Sequence, residues 1–247
     1  MKLAFGGRIA LVTGGTRGIG FQVAQDLAEL GATVLITGTD EERAIAVAHT
    51  FAGSGHRGFG VDFTDSASTD RFVARLAEEP RIDILVNNAG INRINPVDAV
   101  RDEDWTDVQH VNLEAPLKIT RAVARLMRAH GYGRIVNLAS IFGVISKEKR
   151  ALYSMSKFGL RGLTVATAHD LARAGVLANT VSPGFVRTDL TDRILSQADQ
   201  DALAAQVPLG RFASPDEISR VILFLVSDLN TYITAQNIVA DGGFINV

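Results

Sequence analysis

The stretch that decides the fold is Ile9-Ala-Leu-Val-Thr-Gly-Gly-Thr-Arg-Gly-Ile-Gly20. It opens with an apolar run and continues directly into glycines at positions 14, 18 and 20. The run predicts a buried strand, and glycines at this point let the backbone approach a phosphate group where the next helix begins. The spacing Gly-x-x-x-Gly-x-Gly differs from the Gly-x-Gly-x-x-Gly fingerprint of dinucleotide sites. A turn that serves only to pack strand against helix therefore stays an alternative.

The rest of the chain repeats this alternation of short apolar runs with longer segments of helical period. Further strands are predicted at Thr33–Thr37, Gly58–Val61, Ile82–Val86, Ile135–Leu138, Leu177–Val181 and Asn237–Ala240. Helices are predicted over Gly18–Leu30, Ser66–Glu78, Asp102–Ala129, Ala151–Ala174 and Pro215–Ser227. This order predicts an α/β fold, a doubly wound parallel sheet of about seven strands with helices on both faces. We expect a single domain over residues 1–247, with a mobile substrate lid around 188–210, the one long segment outside the alternation.

Composition excludes several classes of function. The chain has 247 residues, 47% of them hydrophobic and 21% charged, which is ordinary for a globular domain. A formal net charge of −2 gives no electrostatic basis for binding nucleic acid. The absence of cysteine excludes disulfides and thiolate metal sites and fits a reducing cytoplasm. No apolar run approaches the ~20 residues that span a bilayer. We expect a soluble cytoplasmic protein with no membrane or metal partner.

A second group of polar residues indicates proton chemistry on a carbonyl or alcohol. Tyr153 and Lys157 are four residues apart in a predicted helix, so they share one face. A cation near a phenol favours the phenolate, which makes Tyr153 a candidate acid and base. Ser140 ends an apolar run and would deliver its hydroxyl at the carboxyl edge of the sheet, where open α/β sheets hold ligands. Taken alone, the Tyr-x-x-x-Lys spacing is one that any amphipathic helix can carry by chance.

Together, these motifs resemble those of the short-chain dehydrogenase/reductases. The residues that carry the resemblance are Thr13–Gly20, Asn87-Asn-Ala-Gly90, Asn112, Ser140, Tyr153, Lys157 and Pro183-Gly184. The match covers essentially the whole chain, in the family's order and spacing. It implies a Rossmann-type NAD(P) site, a catalytic set of Asn112, Ser140, Tyr153 and Lys157, and hydride transfer between the nicotinamide and a carbonyl or secondary alcohol. In the family the Lys also holds the nicotinamide ribose, and the Asn supports a water-linked proton path.

The resemblance also implies which residues bind the cofactor. They are Gly14, Thr16, Arg17, Gly18, Ile19, Gly20, Thr39, Asp62, Phe63, Asn88, Ala89, Gly90, Tyr153, Lys157, Pro183, Gly184, Val186 and Thr188. Asn88 is expected near the ribose, although asparagines at a strand end often only cap backbone. Asp62 is expected at the adenine, the alternative being a cap for the helix that starts near Ser66. Val186 and Thr188 are expected at the carboxamide or phosphate, unless this segment is an ordinary Pro-Gly turn.

The choice between the two nicotinamide cofactors depends on charge after the second strand. A carboxylate there would accept from the ribose 2′-hydroxyl and repel a 2′-phosphate, but the position is Gly38. Thr39 follows, and Arg17 in the glycine loop can reach the same phosphate. Asp40 and Glu41 would oppose a phosphate if they turned inward, but at a helix start they are expected to favour its dipole. NADP(H) is therefore favoured, with NAD(H) left open.

Within the family, the chain is most similar to the 3-oxoacyl-acyl-carrier-protein reductases. The similarity rests on Asp83-Ile-Leu-Val-Asn-Asn-Ala-Gly-Ile91, Gln206-Val-Pro-x-Gly-Arg211 and Ser227-Asp-x-x-x-Tyr-Ile-Thr234. It implies an acyl thioester or other small carbonyl substrate. Gly131 and Ala174 stand near positions where that subgroup has basic residues for its carrier protein, so acyl carrier protein as a partner stays open. The main alternative is a sugar or polyol dehydrogenase of the same family. A protein that senses a dinucleotide without catalysis is a minor alternative, because all four catalytic positions are present.

Three further expectations concern the substrate pocket and assembly. An apolar wall is expected from Phe185, Leu190, Ile194, Leu195, Ile141, Phe142 and Val144, although these could equally be packing or oligomer contacts. The loop Ser146-Lys-Glu-Lys-Arg150 is more charged than expected for the subgroup; it could meet an anionic substrate or simply be solvated. By resemblance, we expect a homotetramer formed through the long helices and the C-terminal segment.

Overall fold

The computed structural model describes residues 3–188, Thr191 and residues 196–246. The strands are β1 (Ile9–Val12), β2 (Thr33–Gly38), β3 (Arg57–Gly60), β4 (Ile84–Asn87), β5 (Gly133–Leu138), β6 (Val176–Pro183) and β7 (Asn237–Ala240). The helices are α1 (Gly18–Glu29), α2 (Glu41–Ala48), α3 (Ser66–Leu76), α4 (Asp102–Gln109), α5 (Ala115–His130), α6 (Ala151–Leu171), α7 (Gln197–Ala204) and α8 (Pro215–Val226). All strand pairings are parallel, in the order β3-β2-β1-β4-β5-β6-β7. The predicted doubly wound sheet of seven strands is confirmed.

The sheet separates two apolar cores, and each strand contributes alternate side chains to them. In β1, Ala10 and Val12 belong to one core, whereas Leu11 belongs to the other. Helices α1 and α8 cover the first core, and α3, α5 and α6 cover the second. Burial on both faces explains why the strands are nearly continuous apolar runs. Each fully buried side chain such as Leu11 contributes about 1.5–3 kcal/mol.

The helix predicted over Asp102–Ala129 is interrupted in the structure. Between α4 and α5 the segment His110–Glu114 forms a π-helical turn, in which the N–H of Ala115 donates to the carbonyl of His110, five residues earlier. The physical reason is Pro116, which has no N–H for the carbonyl four residues before it and whose ring would crowd that carbonyl. The carbonyl in question belongs to Asn112, one of the candidate catalytic residues. The other predicted elements are present with small shifts at their ends.

The segment predicted as a lid, 188–210, is not wholly irregular. Helix α7 lies within it, and its N-terminus is capped by Ser196, whose side chain accepts from the N–H of Asp199. Positions 189, 190 and 192–195 of this segment lie outside the described residues. In the part of the chain that the structure describes, no helix is long and apolar enough to cross a membrane. Those same residues contain no group of three or more metal-binding side chains.

Candidate active site

A cavity of about 480 Å³ lies at the carboxyl ends of the strands on either side of β1. The predicted cofactor residues that line it are Gly14, Thr16, Arg17, Gly18, Ile19, Thr39, Asp62, Phe63, Asn88, Ala89, Gly90 and Thr188. The strand order reverses direction at this point, since β2 and β4 flank β1, and open α/β sheets bind ligands at such a crevice. The structure thus brings most of these residues to one cavity, but Gly20, Tyr153, Lys157, Pro183, Gly184 and Val186 are not in its lining.

The glycine loop shapes one wall of the cavity. Gly14 and Gly18 have φ angles of 63° and 56°, which side chains rarely tolerate. A Cβ on Gly20 would overlap the side chain of Asn88 and the carbonyl of Gly14. Helix α1 begins here with no side-chain cap and no acidic residue in its first turn. Its first N–H groups and positive dipole end are therefore suited to an anion such as a pyrophosphate.

Asn88 and Thr13 tie the glycine loop to the end of β4. The amide nitrogen of Asn88 donates to the carbonyls of Thr13 and Gly14, at 2.8 and 3.1 Å. In return, the hydroxyl of Thr13 accepts from the N–H groups of Asn88 and Ala89, both at 3.0 Å. Asn88 thus holds the loop in place while it lines the cavity. The capping of backbone groups, which the sequence left as the alternative for Asn88, is present, and the contact of Asn88 with a cofactor stays a prediction.

At the other end of the cavity, the environment suits an additional phosphate. A Cβ on Gly38 would lie 2.6 Å from Cγ2 of Thr16, so a carboxylate cannot occupy that position without displacing the threonine. The carboxylate of Asp40 accepts from the N–H of Arg43 at 2.8 Å and caps α2, as its place at a helix start predicted. Arg17 and Arg43 both line the cavity and are exposed. Arg43 is a cavity residue that the motifs do not predict; its signal in the sequence is its place in the first turn of a helix that follows β2.

Asp62 and Phe63 lie where β3 ends. Oδ1 of Asp62 accepts from the N–H and the hydroxyl of Thr64, at 2.9 and 2.7 Å, which fixes the turn. Helix α3 is capped instead by Asp65, whose side chain accepts from Ala67 N–H at 2.9 Å. The alternative that Asp62 caps this helix is therefore wrong. Both Asp62 and Phe63 line the cavity, as the adenine prediction requires.

The cavity reaches the candidate catalytic residues at Gly90. A Cβ there would lie 3.3 Å from Nζ of Lys157 and 3.4 Å from Oδ1 of Asn112. Lys157 is buried, and its ammonium donates to the carbonyl of Leu138 at 2.7 Å. The same nitrogen lies 5.5 Å from the centre of the Tyr153 ring. Tyr153 and Lys157 therefore share a helical face, as predicted, and this face lies beside the cavity at Gly90.

The side chain of Asn112 connects the π-helical turn to the segment after β4 and to α6. Its side chain accepts from the N–H of Ile91 and donates to the carbonyl of Ile91, both at 2.9 Å. The same amide nitrogen donates to the hydroxyl of Ser156 at 2.9 Å, and that hydroxyl donates to the carbonyl of Tyr153 at 2.7 Å. The side chain of Asn112 thus fixes α6 against the end of β4. Its backbone carbonyl lies four residues before Pro116, which has no N–H to donate to it, and its role in the proton path stays a prediction.

Burial governs the protonation of the cluster. Burial raises the pKa of Tyr153, while a hydrogen bond with Ser140 and the charge of Arg150 act in the opposite direction. Burial also lowers the pKa of Lys157 to about 8. Ser140 is held by its own turn, because its Oγ accepts from the N–H of Phe142 at 3.2 Å. At neutral pH Tyr153 is therefore a neutral phenol that interacts with the hydroxyl of Ser140.

The segment after β6 closes over the glycine loop. A Cβ on Gly18 would lie 3.6 Å from the methyl of Thr188, and the hydroxyls of Thr188 and Thr191 are 2.8 Å apart. Val186 forms a parallel bridge with Ala213. The Pro183-Gly184 turn is anchored by the N–H of Gly184, which donates to Ala240 at 3.0 Å.

The predicted apolar wall is only partly found. Phe142 meets Tyr153 edge-on, with ring centres 6.4 Å apart. Phe185 instead packs against Phe212 and Phe244, at 5.3 and 5.1 Å, so for this residue the packing alternative holds. Ile141 is buried in the core, and Val144 is half-buried after the turn. Leu190, Ile194 and Leu195 lie outside the described residues.

Comparison with known proteins agrees with this architecture. A family model described as enoyl-(acyl carrier protein) reductase matches residues 14–245. The 3-oxoacyl-[acyl-carrier-protein] reductase FabG of Escherichia coli is 39% identical over 244 residues, covering 98% of this chain and 99% of that protein. Its counterpart in Aquifex aeolicus is 41% identical over 249 residues, with 98% and 99% covered.

A solved structure with a similar fold is a gluconate 5-dehydrogenase from Burkholderia cenocepacia in complex with NADP and tartrate. It is 35% identical, covers 99% of this chain and 98% of its own, and has a TM-score of 0.90. The matched regions cover nearly the full length of this chain and of each of these relatives. The chain belongs to the short-chain dehydrogenase/reductase family of NAD(P)-dependent oxidoreductases, which act on carbonyl and alcohol groups.

Proposed function

We propose that this protein reduces the ketone of a 3-oxoacyl compound, with NADP(H) as the preferred cofactor. The observation that carries the reaction type is the pair of Tyr153 and Lys157, in which the ammonium lies 5.5 Å from the centre of a phenol ring that also interacts with Ser140. The substrate class is supported by the relatives named above as 3-oxoacyl-[acyl-carrier-protein] reductases, at 39% and 41% identity. A sugar-acid or polyol dehydrogenase is the second candidate, supported by the structural similarity to a gluconate 5-dehydrogenase.

In this proposal four residues divide the work. A nicotinamide cofactor held by the residues of the cavity would supply the hydride to the carbonyl carbon. Ser140 donates a hydrogen bond to the substrate oxygen, and Tyr153 transfers its phenolic proton to that oxygen as charge develops. Lys157, held at the Leu138 carbonyl, places a cation beside the ring of Tyr153 and replenishes the proton. Asn112 keeps the helix that carries both groups in register with the end of β4.

The preference for NADP(H) rests on charge and shape. Arg17 and Arg43 supply two cations to the cavity, neither in an ion pair with another described residue. Gly38 leaves no room for the carboxylate that would select NAD(H), since Thr16 fills the space. Asp40 is engaged as a helix cap. An arginine with free donors binds a phosphate more strongly than a ribose hydroxyl.

The oligomeric state, the cellular location and the protein partner are expected only from the resemblance to the family. We expect a cytoplasmic homotetramer. We expect a carrier protein less strongly, because one of the positions near which the subgroup has a basic residue is Gly131 here. Gly131 ends α5 in a left-handed conformation, with a φ of 65°, which would strain a basic side chain. The nearby Arg128 donates to the carbonyl of Asp170 at 3.3 Å. An acyl thioester small enough to enter without its carrier is therefore a sufficient test substrate.

The test is oxidation of NADPH and NADH by the purified protein with acetoacetyl thioesters, diketones and keto sugars. We expect turnover of the 3-oxoacyl compound with NADPH, and loss of most of it, about 100-fold or more, in Tyr153→Phe. Tyr232→Phe is the matched control, because this tyrosine is 96% exposed. Cofactor affinity, read from NADPH fluorescence, should be unchanged in both variants. Turnover near the wild-type rate in Tyr153→Phe would disprove the assignment.

A further inference from the structure

Arg150 is a cation that the fold partly buries without a polar partner. Nε and Nη1, two of the three nitrogens of its side chain, are buried, and neither has a hydrogen-bond partner among the described residues. No salt bridge between described residues includes Arg150. Burial lowers the pKa of this guanidinium, yet an arginine keeps its charge at any physiological pH. A buried charge is screened less than a charge in water, so it acts more strongly on neighbouring ionisable groups.

The loop that ends at Arg150 is fixed to the helix that carries Tyr153. Arg150 directly precedes α6, and its carbonyl accepts from the N–H of Ser154 at 2.7 Å. The hydroxyls of Ser146 and Ser154 are also 2.7 Å apart. These two contacts tie residues 146–150 to the first turn of the helix. They hold Arg150 in a fixed place relative to Tyr153, which is three residues later in the chain.

The side chains of Arg150 and Tyr153 share one aromatic neighbour. Phe142 meets the ring of Tyr153 edge-on, with the ring centres 6.4 Å apart, and Cζ of Arg150 lies 5.6 Å from the centre of the Phe142 ring. This apolar ring takes the place of water that would otherwise screen the charge. Burial raises the pKa of Tyr153, and the charge of Arg150, after a hydrogen bond with Ser140, opposes that increase because it favours the phenolate.

Lys157 is the other cation beside the phenol, but its charge depends on pH. Its Nζ lies 5.5 Å from the centre of the Tyr153 ring. Burial lowers the pKa of Lys157 to about 8, so its charge is lost as the pH rises through this value. An arginine keeps its charge there. At alkaline pH Arg150 is therefore the cation that remains near Tyr153.

Charged residues of the neighbouring elements are exposed or are engaged elsewhere. The exposed ones are Lys147, Glu148 and Lys149 of the same loop and Arg121, Arg125 and Arg128 of α5. The engaged ones are His110 with Glu114, Lys118 with Asp70, Asp104 and Asp107 with Arg93, and Arg161 with the carbonyl of Gly143. Strand β6, which also packs against α6, contains no charged residue. Among the described residues, Arg150 and Lys157 are thus the charges that bear on Tyr153 most directly.

We propose that the buried charge of Arg150 stabilises the phenolate of Tyr153 and so eases proton transfer between this phenol and the substrate oxygen. In reduction the phenol gives its proton to that oxygen, and in oxidation the phenolate takes the proton back. Arg150 touches no reacting atom, so it is a positioning residue that acts through Tyr153. The proposal rests on the proposed function, because it concerns the same proton transfer.

The pH dependence of alcohol oxidation tests this role, because oxidation needs the phenolate. The experiment measures kcat/KM for a 3-hydroxyacyl ester with NADP+ from about pH 6 to pH 10 in the wild type and in Arg150→Met. The midpoint of the rise in activity should move to higher pH by roughly half a unit or more, which lowers activity about 3- to 30-fold below the midpoint. A loss of activity with an unchanged midpoint would indicate a merely structural role and refute the proposal.

Two further variants control for charge and for burial. Arg150→Lys keeps a cation at the same position and should recover part of the shift. Lys147→Met is the matched control, because its ammonium lies 5.8 Å from the centre of the same Phe142 ring but is exposed. It should keep the midpoint of the wild type, since water screens its charge. An equal shift in Lys147→Met and Arg150→Met would refute the argument from burial.

A titration without turnover separates this proposal from the proposed function. The chain has three tyrosines, so NMR of tyrosines labelled at Cζ identifies Tyr153 as the signal that is lost in Tyr153→Phe. Its midpoint should rise in Arg150→Met by roughly half a pH unit or more. A shifted midpoint in a protein that turns over no substrate would uphold the role of Arg150 and refute the reductase. An unchanged midpoint would refute this role even in an active enzyme, and a normal unfolding midpoint ensures that the variant is folded.

Discussion

Replacement of the buried Lys157 by methionine should change the way in which stability depends on pH. Burial lowers the pKa of Lys157 from the ordinary 10.5 to about 8. Between these values the unfolded chain binds a proton that the folded chain does not, so this residue makes stability rise with pH. Below pH 8 the ammonium is buried and charged, and it destabilises the fold by about 3 kcal/mol. Methionine, which is similar in length and uncharged, removes this penalty at every pH.

The measurable quantity is a difference between two proteins at two pH values. From pH 7 to pH 9 the linkage recovers about 1.3 kcal/mol of the penalty in the wild type and none in Lys157→Met. Urea unfolding at fixed protein concentration gives the free energy of unfolding for each. The variant also leaves the carbonyl of Leu138 without its donor, which costs roughly 1 kcal/mol but does not depend on pH. The pH dependence therefore isolates the buried charge.

Lys147→Met is the control, because Lys147 is exposed and its removal should leave the pH dependence as in the wild type. Lys157→Met must also lose turnover, since the proposed function needs the ammonium group of Lys157. Two results would refute the reasoning. One is a wild type and a Lys157→Met variant whose stabilities change in parallel from pH 7 to pH 9. The other is a variant that gains stability as the pH rises while the wild type does not.

Two further predictions concern glycines. Gly90→Ala would press a methyl group against Nζ of Lys157 and Oδ1 of Asn112, so turnover should fall about 10- to 100-fold. Gly162→Ala, on the same helix as Lys157 but with nothing within 4 Å, should keep its activity, and equal losses in both would contradict the explanation. Gly38→Asp should weaken NADH because its Cβ overlaps Thr16, and NADPH still more because the carboxylate also repels the 2′-phosphate; adding Thr16→Gly should restore the affinity for NADH. Unchanged NADH binding in Gly38→Asp alone would show that Thr16 does not fill that space.

The elements set by periodicity could be predicted from the sequence because each has a local cause. The strand Ile9–Val12 was predicted with its observed ends, since Thr13 and two glycines follow it and both its faces are buried. The long helix predicted from Asp102 was wrong at its middle, although Pro116 was a visible signal. Helical periodicity continues through a π-helical turn, so an apolar pattern alone does not show it. The position of Pro116, four residues after Asn112, does show it.

The side-chain contacts of the site were less predictable because they join residues that are distant in sequence. Nothing near Asn88 in the chain indicates that its amide holds the carbonyls of Thr13 and Gly14. Arg43 was missed since its motif contains no glycine or cofactor signature. Arg150 was noticed only as part of a charged loop, and its burial could not be read from five residues of polar sequence.

The electrostatics of the cluster illustrates how burial changes a conclusion drawn from spacing. The four-residue spacing implies that Lys157 lowers the pKa of Tyr153, but spacing says nothing about desolvation. In the structure burial disfavours both charged forms, so it raises the pKa of Tyr153 and lowers that of Lys157. A phenol with a raised pKa is protonated at neutral pH, but it is a weaker acid than an ordinary tyrosine and gives up its proton less readily. The burial that stabilises the core therefore keeps Tyr153 protonated but makes it a weaker acid, whereas the hydrogen bond with Ser140 and, after it, the charge of Arg150 act in the opposite direction and favour release of the proton.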